Sequence, residues 1–185
     1  MGVTYFKRYR MEYDLRAGLF ALPKISADYA GIAWNENLLE HHAETKFQSF
    51  RFEIDANVFP CLGNRDGCRR LMSEISRRSN FLPNSTVLVY AREDSGSRDY
   101  CGTIQAIKDN LGRGSIQNIG VTPGHRGQQL GTYLIHRALQ GFKQDGMQIA
   151  TLEVTAQNTK ALSLYERLGF EITRTVFKAV EVAFV

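Results

Sequence analysis

The sequence predicts one mixed α/β domain, built on a mostly antiparallel sheet that contains one parallel strand pair. Three observations carry that prediction. A Gly-rich stretch, Val121-Thr122-Pro123-Gly124-His125-Arg126-Gly127-Gln128-Gln129-Leu130-Gly131, follows an apolar strand-like run and opens a helix-like one. From Ser115 to Thr155 the order reads strand, loop, helix, strand, and two strands joined through a helix are normally parallel and right-handed. The turns at Glu93–Asp99 and Lys108–Gly114 have hairpin chemistry, so the strands around them form an antiparallel meander.

Each element has its own signal. Tyr5, Tyr9, Met11, Tyr13 and Leu15 alternate with Phe6, Arg8, Arg10, Glu12 and Asp14, the period of a long first strand. Asn35 to Phe50 reads as a helix with Leu38, Leu39, His42 and Phe47 as inner positions. Phe52 to Leu62 is mixed, ends near Pro60, and reads as a loop with a short extended piece. Cys68 to Ser79 reads as a helix with Leu71, Met72 and Ile75 inward. Its basic residues Arg69, Arg70, Arg77 and Arg78 form a solvated face. Strands follow at Thr86–Ala91, Tyr100–Ile107 and Ser115–Val121. Leu130, Leu134, Ala138 and Phe142 then recur at helical spacing, and Gly146 stands where a helix-ending glycine is expected. Ile149–Thr155 is a strand, and Thr159–Leu168 is a short helix stopped by Gly169. Phe170–Val185 is extended and apolar, one strand and part of another. A homodimer contact through Val180–Val185 is one use of that segment, and completion of the sheet is the other.

Length and composition set the outer bounds. A chain of 185 residues is one domain by size and can bury a sizeable core. The net charge of +4 suits a polyanionic ligand and suits plain solubility equally. Basic residues are spread along the chain, so no nucleic-acid partner is expected. The three cysteines, Cys61, Cys68 and Cys101, include no Cys-x-x-Cys pair. That argues against a disulfide framework or a zinc site. His41 and His42 are adjacent and lack the spacing of a metal pair, so they are assigned to a surface helix. No apolar run reaches the about 18 residues of a membrane span, and Met1–Phe6 lacks a secretory core. A cytoplasmic location without membrane association is the expectation.

The Gly-rich loop carries the first chemical expectation. A helix N-terminus presents about four unpaired N–H donors and roughly half a positive charge, a ready phosphate site. Three further residues stand out. Glu153 lies mid-strand between Leu152 and Val154, so its carboxylate points to the opposite face from those two. A carboxylate in such a strand needs a reason, either chemistry or an ion pair with a neighbouring Arg or Lys. Tyr165 shares one helix face with Ala161, Leu164 and Leu168, which points it inward, as a proton donor or as a packed aromatic. Asn158 precedes that helix and suits an N-cap. His125 lies beside the loop, either touching a phosphate or simply exposed.

The loop, followed by Leu152-Glu153-Val154, then Asn158, Leu164-Tyr165-Glu166 and Leu168-Gly169-Phe170, resembles the GCN5-related N-acetyltransferase superfamily. The block is particularly similar to the amino-terminal alanine acetyltransferases. The likeness is specific from about residue 100 to residue 178. Residues 1–99 match only in the order of their elements and are assigned to the acceptor side. The resemblance implies an acyl-CoA N-acyltransferase fold whose two parallel strands splay apart to take the acetyl-pantetheine arm.

It also implies roles. The pattern Arg/Gln-x-x-Gly-x-Gly/Ala, which holds the pyrophosphate of acetyl-coenzyme A, maps onto Arg126, Gly127, Gln128, Gln129, Leu130 and Gly131, with Thr132 beside them. Gln129 replaces the first glycine, which suggests a position that need not take a positive φ. Main chain at Ile119, Gly120 and Val121 pairs with the cofactor arm and faces the thioester oxygen, and Asn158 bonds the pantetheine. Glu153 is the base and Tyr165 the acid. Many members carry a base on the strand before the loop. Here that stretch is Ser115-Ile116-Gln117-Asn118, without a carboxylate, which directs attention to Glu153. The implied reaction is acetyl transfer from acetyl-CoA to a peptide or small-molecule amine, by direct attack, with no metal and no acyl-cysteine. The rival, supported by Gln129 and the missing carboxylate, is a non-catalytic acyl-CoA-binding or interaction module of the same fold.

Overall fold

The computed structural model describes residues 2–182. Seven strands form one sheet: β1 (Gly2–Asp14), β2 (Tyr29–Ala33), β3 (Val87–Arg92), β4 (Arg98–Lys108), β5 (Gly114–Val121), β6 (Ile149–Thr155) and β7 (Glu171–Val182). They lie in the order β2-β3-β4-β5-β6-β1-β7. Five α-helices accompany them: α1 (Leu39–Phe50), α2 (Ile54–Val58), α3 (Arg65–Ser76), α4 (Leu130–Gln144) and α5 (Thr159–Leu168). The predicted meander is β3-β4-β5, antiparallel throughout.

The unit from β5 through α4 to β6 gives the parallel pair, and that pair is short. Only Gly114↔Ala150 and Ser115↔Thr151 are in register. Beyond Ser115 the strands part and leave a wedge between them. The first strand of the chain fills the other side of β6, with Arg10 opposite Glu153 and Arg8 opposite Thr155. Its outer edge pairs with β7 from Gly2↔Val182 to Glu12↔Glu171. β1 is therefore an interior strand.

The two faces of the sheet are chemically different. On one, α4 buries Leu130, Leu134, Ile135, Ala138, Leu139 and Phe142 against Val89, Ile104, Ala106, Ile116 and Leu152. On the other, α1 covers β4 with a polar face: His42, Thr45, Lys46 and Ser49 are all buried. His42 Nδ1 meets Thr103 Oγ1 at 2.8 Å, and Lys46 Nζ donates to Gln105 Oε1 at 3.0 Å. Burial of partnered polar groups is tolerable because their hydrogen bonds replace those lost to water.

Several expectations need correction. Residues 52–62 hold two short helical pieces in place of the extended one: α2 spans Ile54–Val58 and a 3-10 turn follows at Pro60–Gly63. Val58 and Leu62, both buried, decide this by packing, which outweighs the weak local propensity. His42 is fully buried beneath Trp34, so only His41, stacked on Tyr100, fits the surface-helix assignment. Leu38 and Leu39 are half-buried, whereas His42 and Phe47 are buried as expected, together with Ala43 and the polar set above. α3 starts at Arg65, because the Asn64 side chain caps it by accepting from Gly67 N–H at 2.6 Å. Tyr29–Ala33, for which the sequence offers no clear pattern, is an edge strand paired with β3. The C-terminal segment is a single strand as far as Val182. Residues 183–185, part of the segment offered as a dimer contact, lie outside the described residues. Among the described residues no helix is long and apolar enough to cross a membrane.

Candidate active site

The wedge opens into three connected clefts. The largest, about 520 Å³, runs from the β5 end over the start of α4 to α5. Its wall contains Ile119, Gly120, Val121, Arg126, Gly127, Gln129, Leu130, Gly131, Thr132, Asn158 and Tyr165. The sequence-predicted cofactor residues are thus brought together, apart from Gln128, which is exposed and outside the wall. A second cleft of about 370 Å³ lies at the other end, with Arg8, Arg10, Gln117, Asn118 and Glu153 in its wall and Phe59, Leu71 and Ile75 above. A small chamber of about 110 Å³ joins them and is lined by Arg8, Asp55, Glu153, Asn158 and Tyr165.

The phosphate loop is built by two left-handed residues. Gly127 has φ 77° and Gln129 has φ 61°. Among the described residues Gln129 is the one non-glycine with positive φ, which overturns the expectation drawn from its replacing a glycine. Tyr133 N–H makes the first intrahelical bond of α4, to Gln129 C=O at 3.0 Å. The N–H groups of Leu130, Gly131 and Thr132 therefore have no acceptor within the helix and face the cleft. A Cβ at Gly124 or Gly127 would meet nothing within 4 Å, so the loop borders open space. This donor set, with the helix dipole behind it, fits a pyrophosphate. Lys160 and Arg167, seven apart on α5, add two cations to the same wall. That spacing places them on one helix face, a signal present in the sequence but not used.

Left-handed backbone costs a non-glycine residue about 1–2 kcal/mol, so Gln129→Gly is expected to raise unfolding stability by about 1 kcal/mol. A melting temperature about 3 °C higher in calorimetry is the sign to look for. A lower one would show that the Gln129 side chain compensates its strain.

Arg126 lines the same cleft, and its side chain is engaged within the protein. Its guanidinium turns back across the loop, donating to Val121 C=O (3.1 Å), Ser49 C=O (3.1 Å) and Glu53 Oε1 (2.7 Å). It pins the loop to the end of α1. A Cβ on Gly120 would lie 2.6 Å from Ser49 Cβ, so only glycine lets α1 rest on β5 while Ile119–Val121 keep main chain along the cleft. His125 is held between Tyr29 Oη (3.0 Å) and Asp99 Oδ2 (2.8 Å), which ties the loop to the meander.

At the meeting of the clefts, Tyr165 is buried. Burial pushes its phenol well above the ordinary tyrosine value, and the Asp55 carboxylate adds to the effect. The phenol is thus kept as an O–H donor. Asn158 caps α5 by accepting from Ala161 N–H at 3.2 Å and donates from Nδ2 to Asp55 Oδ2 at 3.1 Å. Each end of its amide makes one bond within the protein, which leaves a second N–H available. Glu153 sits opposite Arg10, whose Nη2 is 3.2 Å from Oε1, while Arg8 Nε lies 3.6 Å from Oε2. The ion pair that the sequence left open as an alternative is present.

Asp55 was missed. It lies on α2, which the sequence presents as loop, so nothing marked it as facing the wedge. Its Oδ1 accepts from Thr155 Oγ1 at 3.1 Å and stands 4.0 Å from Arg8 Nη1.

Comparison with known proteins decides the family. A model described as the acetyltransferase (GNAT) family matches residues 49–170. The chain belongs to the GNAT acetyltransferase family. A protein of Bacillus subtilis (strain 168) named as a ribosomal protein bS18-alanine N-acetyltransferase is 33% identical over 120 residues, covering 65% of this GNAT chain and 72% of that protein. An uncharacterized N-acetyltransferase of Methanocaldococcus jannaschii, MJ1207, is 43% identical over 56 residues, and the match spans only 25% of it. Among solved structures, a GCN5-related N-acetyltransferase from Sphaerobacter thermophilus superposes with TM-score 0.72 at 19% identity, over 97% of this chain and 53% of that one. AAC(6')-Iy, solved with the bisubstrate analogue CoA-S-monomethyl-acetylneamine, gives TM-score 0.57 at 18% identity over 85% of this chain and 96% of its own. The likeness to these structures is one of fold. This GNAT chain spans about half the S. thermophilus chain and a quarter of MJ1207.

Proposed function

We propose that this GNAT domain transfers an acetyl group from acetyl-CoA to a primary amine on a peptide or small molecule, by direct attack in a ternary complex. The observation that carries the reading is the joining of two clefts at one buried, protonated phenol, Tyr165. The cofactor cleft offers a pyrophosphate cradle at one end and the main chain of Ile119–Val121 along its side. The second cleft opens from the same chamber on the acceptor side.

The chemistry follows from the donors and acceptors present. Main-chain N–H near Val121 stabilises the oxyanion as the amine adds. The Tyr165 O–H protonates the departing thiolate. Two carboxylates stand at the chamber to take the amine's proton: Glu153, which the family resemblance nominates, and Asp55. The relative's name favours a protein N-terminal amine as acceptor, and AAC(6')-Iy favours an aminoglycoside-like one. No carboxylate, histidine and cysteine cluster suited to a metal occurs among the described residues, and the proposed steps need none.

Titration calorimetry with acetyl-CoA is the first test. Micromolar binding, about −8 kcal/mol, is expected. Absence of heat at two temperatures would reject the cofactor cleft and leave the interaction-module reading.

A further inference from the structure

We propose that Asp55 is the catalytic base, receiving the amine's proton at the point where the two clefts meet. The proposal rests on the acetyl-transfer reading above. An attacking amine must touch both the acetyl group and its own cleft. Asp55 lines the cofactor cleft and the joining chamber alike, whereas Glu153 lines only the chamber and the acceptor cleft.

The bonding of the two carboxylates differs in the same sense. Glu153 is the cross-strand partner of Arg10 and is also approached by Arg8. That arrangement is what a sheet uses to offset a charge on its surface. Asp55 is held by two neutral donors, Thr155 Oγ1 and Asn158 Nδ2, both at 3.1 Å, with Arg8 more distant at 4.0 Å. An ionised carboxylate has about four acceptor positions. One donor on each oxygen leaves acceptor capacity on both, and the side chain remains 16% exposed. Arg8 is buried, and its Nε has no hydrogen-bond partner among the described residues. A buried cation beside the chamber favours a site that works with negative charge.

The proton count closes within the chain. The amine lone pair forms the C–N bond, and the carbonyl π pair moves to oxygen. The amine's proton passes to the Asp55 carboxylate. The oxyanion pair then re-forms the carbonyl as the C–S bond breaks, that bond's electron pair stays on sulfur, and the Tyr165 O–H gives the sulfur a proton. The resulting phenolate, the stronger base, recovers the proton held by Asp55. The net transfer is from amine nitrogen to coenzyme sulfur.

The test compares wild type, Asp55→Asn, Asp55→Ala and Glu153→Gln, with an alanine-initiated hexapeptide, neamine and n-propylamine as acceptors. Coenzyme A release is followed from pH 6 to 10. Asp55→Asn is expected to bind acetyl-CoA like wild type in calorimetry, which establishes that it folds. It should lose about a hundredfold or more in kcat/KM at neutral pH and regain activity as pH rises. Added formate should restore part of the activity of Asp55→Ala, which a structural role would not produce. Glu153→Gln should keep the wild-type pH profile and change mainly acceptor KM. An Asp55→Asn enzyme with wild-type rate and profile, or the pH-dependent loss appearing in Glu153→Gln instead, overturns the assignment of Asp55 alone. Wild type that binds acetyl-CoA yet acetylates none of the three amines overturns the acetyl-transfer reading, and this proposal with it.

Discussion

Lys46→Met is expected to make the protein more stable at neutral pH, by about 2 kcal/mol, against the usual direction of core substitutions. Lys46 is fully buried on the inner face of α1 and forms no ion pair among the described residues. Its Nζ donates to Gln105 Oε1 at 3.0 Å and approaches Met72 Sδ at 3.6 Å. Burial pushes its ammonium down from 10.5 to about 7. Between those two values the unfolded chain holds a proton that the folded chain has released. Stability therefore rises with pH across that window, by about 1.4 kcal/mol per pH unit. Below about pH 7 both states carry the proton and the full penalty applies. Methionine removes the charge and keeps the volume, and Gln105 Oε1 retains Asn118 Nδ2 as a donor at 3.2 Å. Urea denaturation from pH 6 to 10 should show a rising wild-type curve and a flatter one for the variant. A variant less stable than wild type at pH 7 would mean that the Lys46 hydrogen bonds outweigh its desolvation.

The acid side has a separate source. His42 is held down to about 3, first by burial and then by the neighbouring Lys46. Below its ordinary value near 6.5 the unfolded chain takes up a proton that the folded chain refuses until about pH 3. This contribution is lost as pH falls through that window.

Tyr165→Phe is expected to lower kcat about a hundredfold while leaving acetyl-CoA binding intact. The phenyl ring keeps the packing against Phe170, whose centroid is 6.0 Å away, so the fold is spared. What disappears is the one buried O–H at the junction of the cofactor cleft and the chamber. Because the phenol is held protonated by burial and by Asp55, the wild-type rate should not fall as pH approaches the ordinary tyrosine range. An acetyl-CoA-binding variant with undiminished kcat would reduce Tyr165 to a packed aromatic.

The C-terminal half was legible because its signals are local. The interval-four spacing of Leu130, Leu134, Ala138 and Phe142 fixes α4, and all four are buried. The predicted ranges of Ile149–Thr155 and Thr159–Leu168 coincide with β6 and α5, because Gly146 and Gly169 take the positive φ that ends a helix. The N-terminal half was read less well. α2 is five residues long, too short to reveal a period, and packing alone holds it. The buried face of α1 mixes Ala43 and Phe47 with His42, Thr45, Lys46 and Ser49, so a hydrophobic pattern finds only part of it.

By itself the sequence determined the mixed α/β class, the meander, the βαβ unit and the family resemblance, since each rests on residues near one another in the chain. It also placed Gln129 at the start of α4, though not its left-handed backbone. Only the tertiary structure decided that β1 lies between β6 and β7, which sets Arg8 and Arg10 against Glu153 and makes an ion pair of the carboxylate nominated as base. Only it brought Asp55 to Thr155 and Asn158, about a hundred residues away in the chain. Such contacts depend on strand order and on where the wedge opens, and no local pattern encodes either.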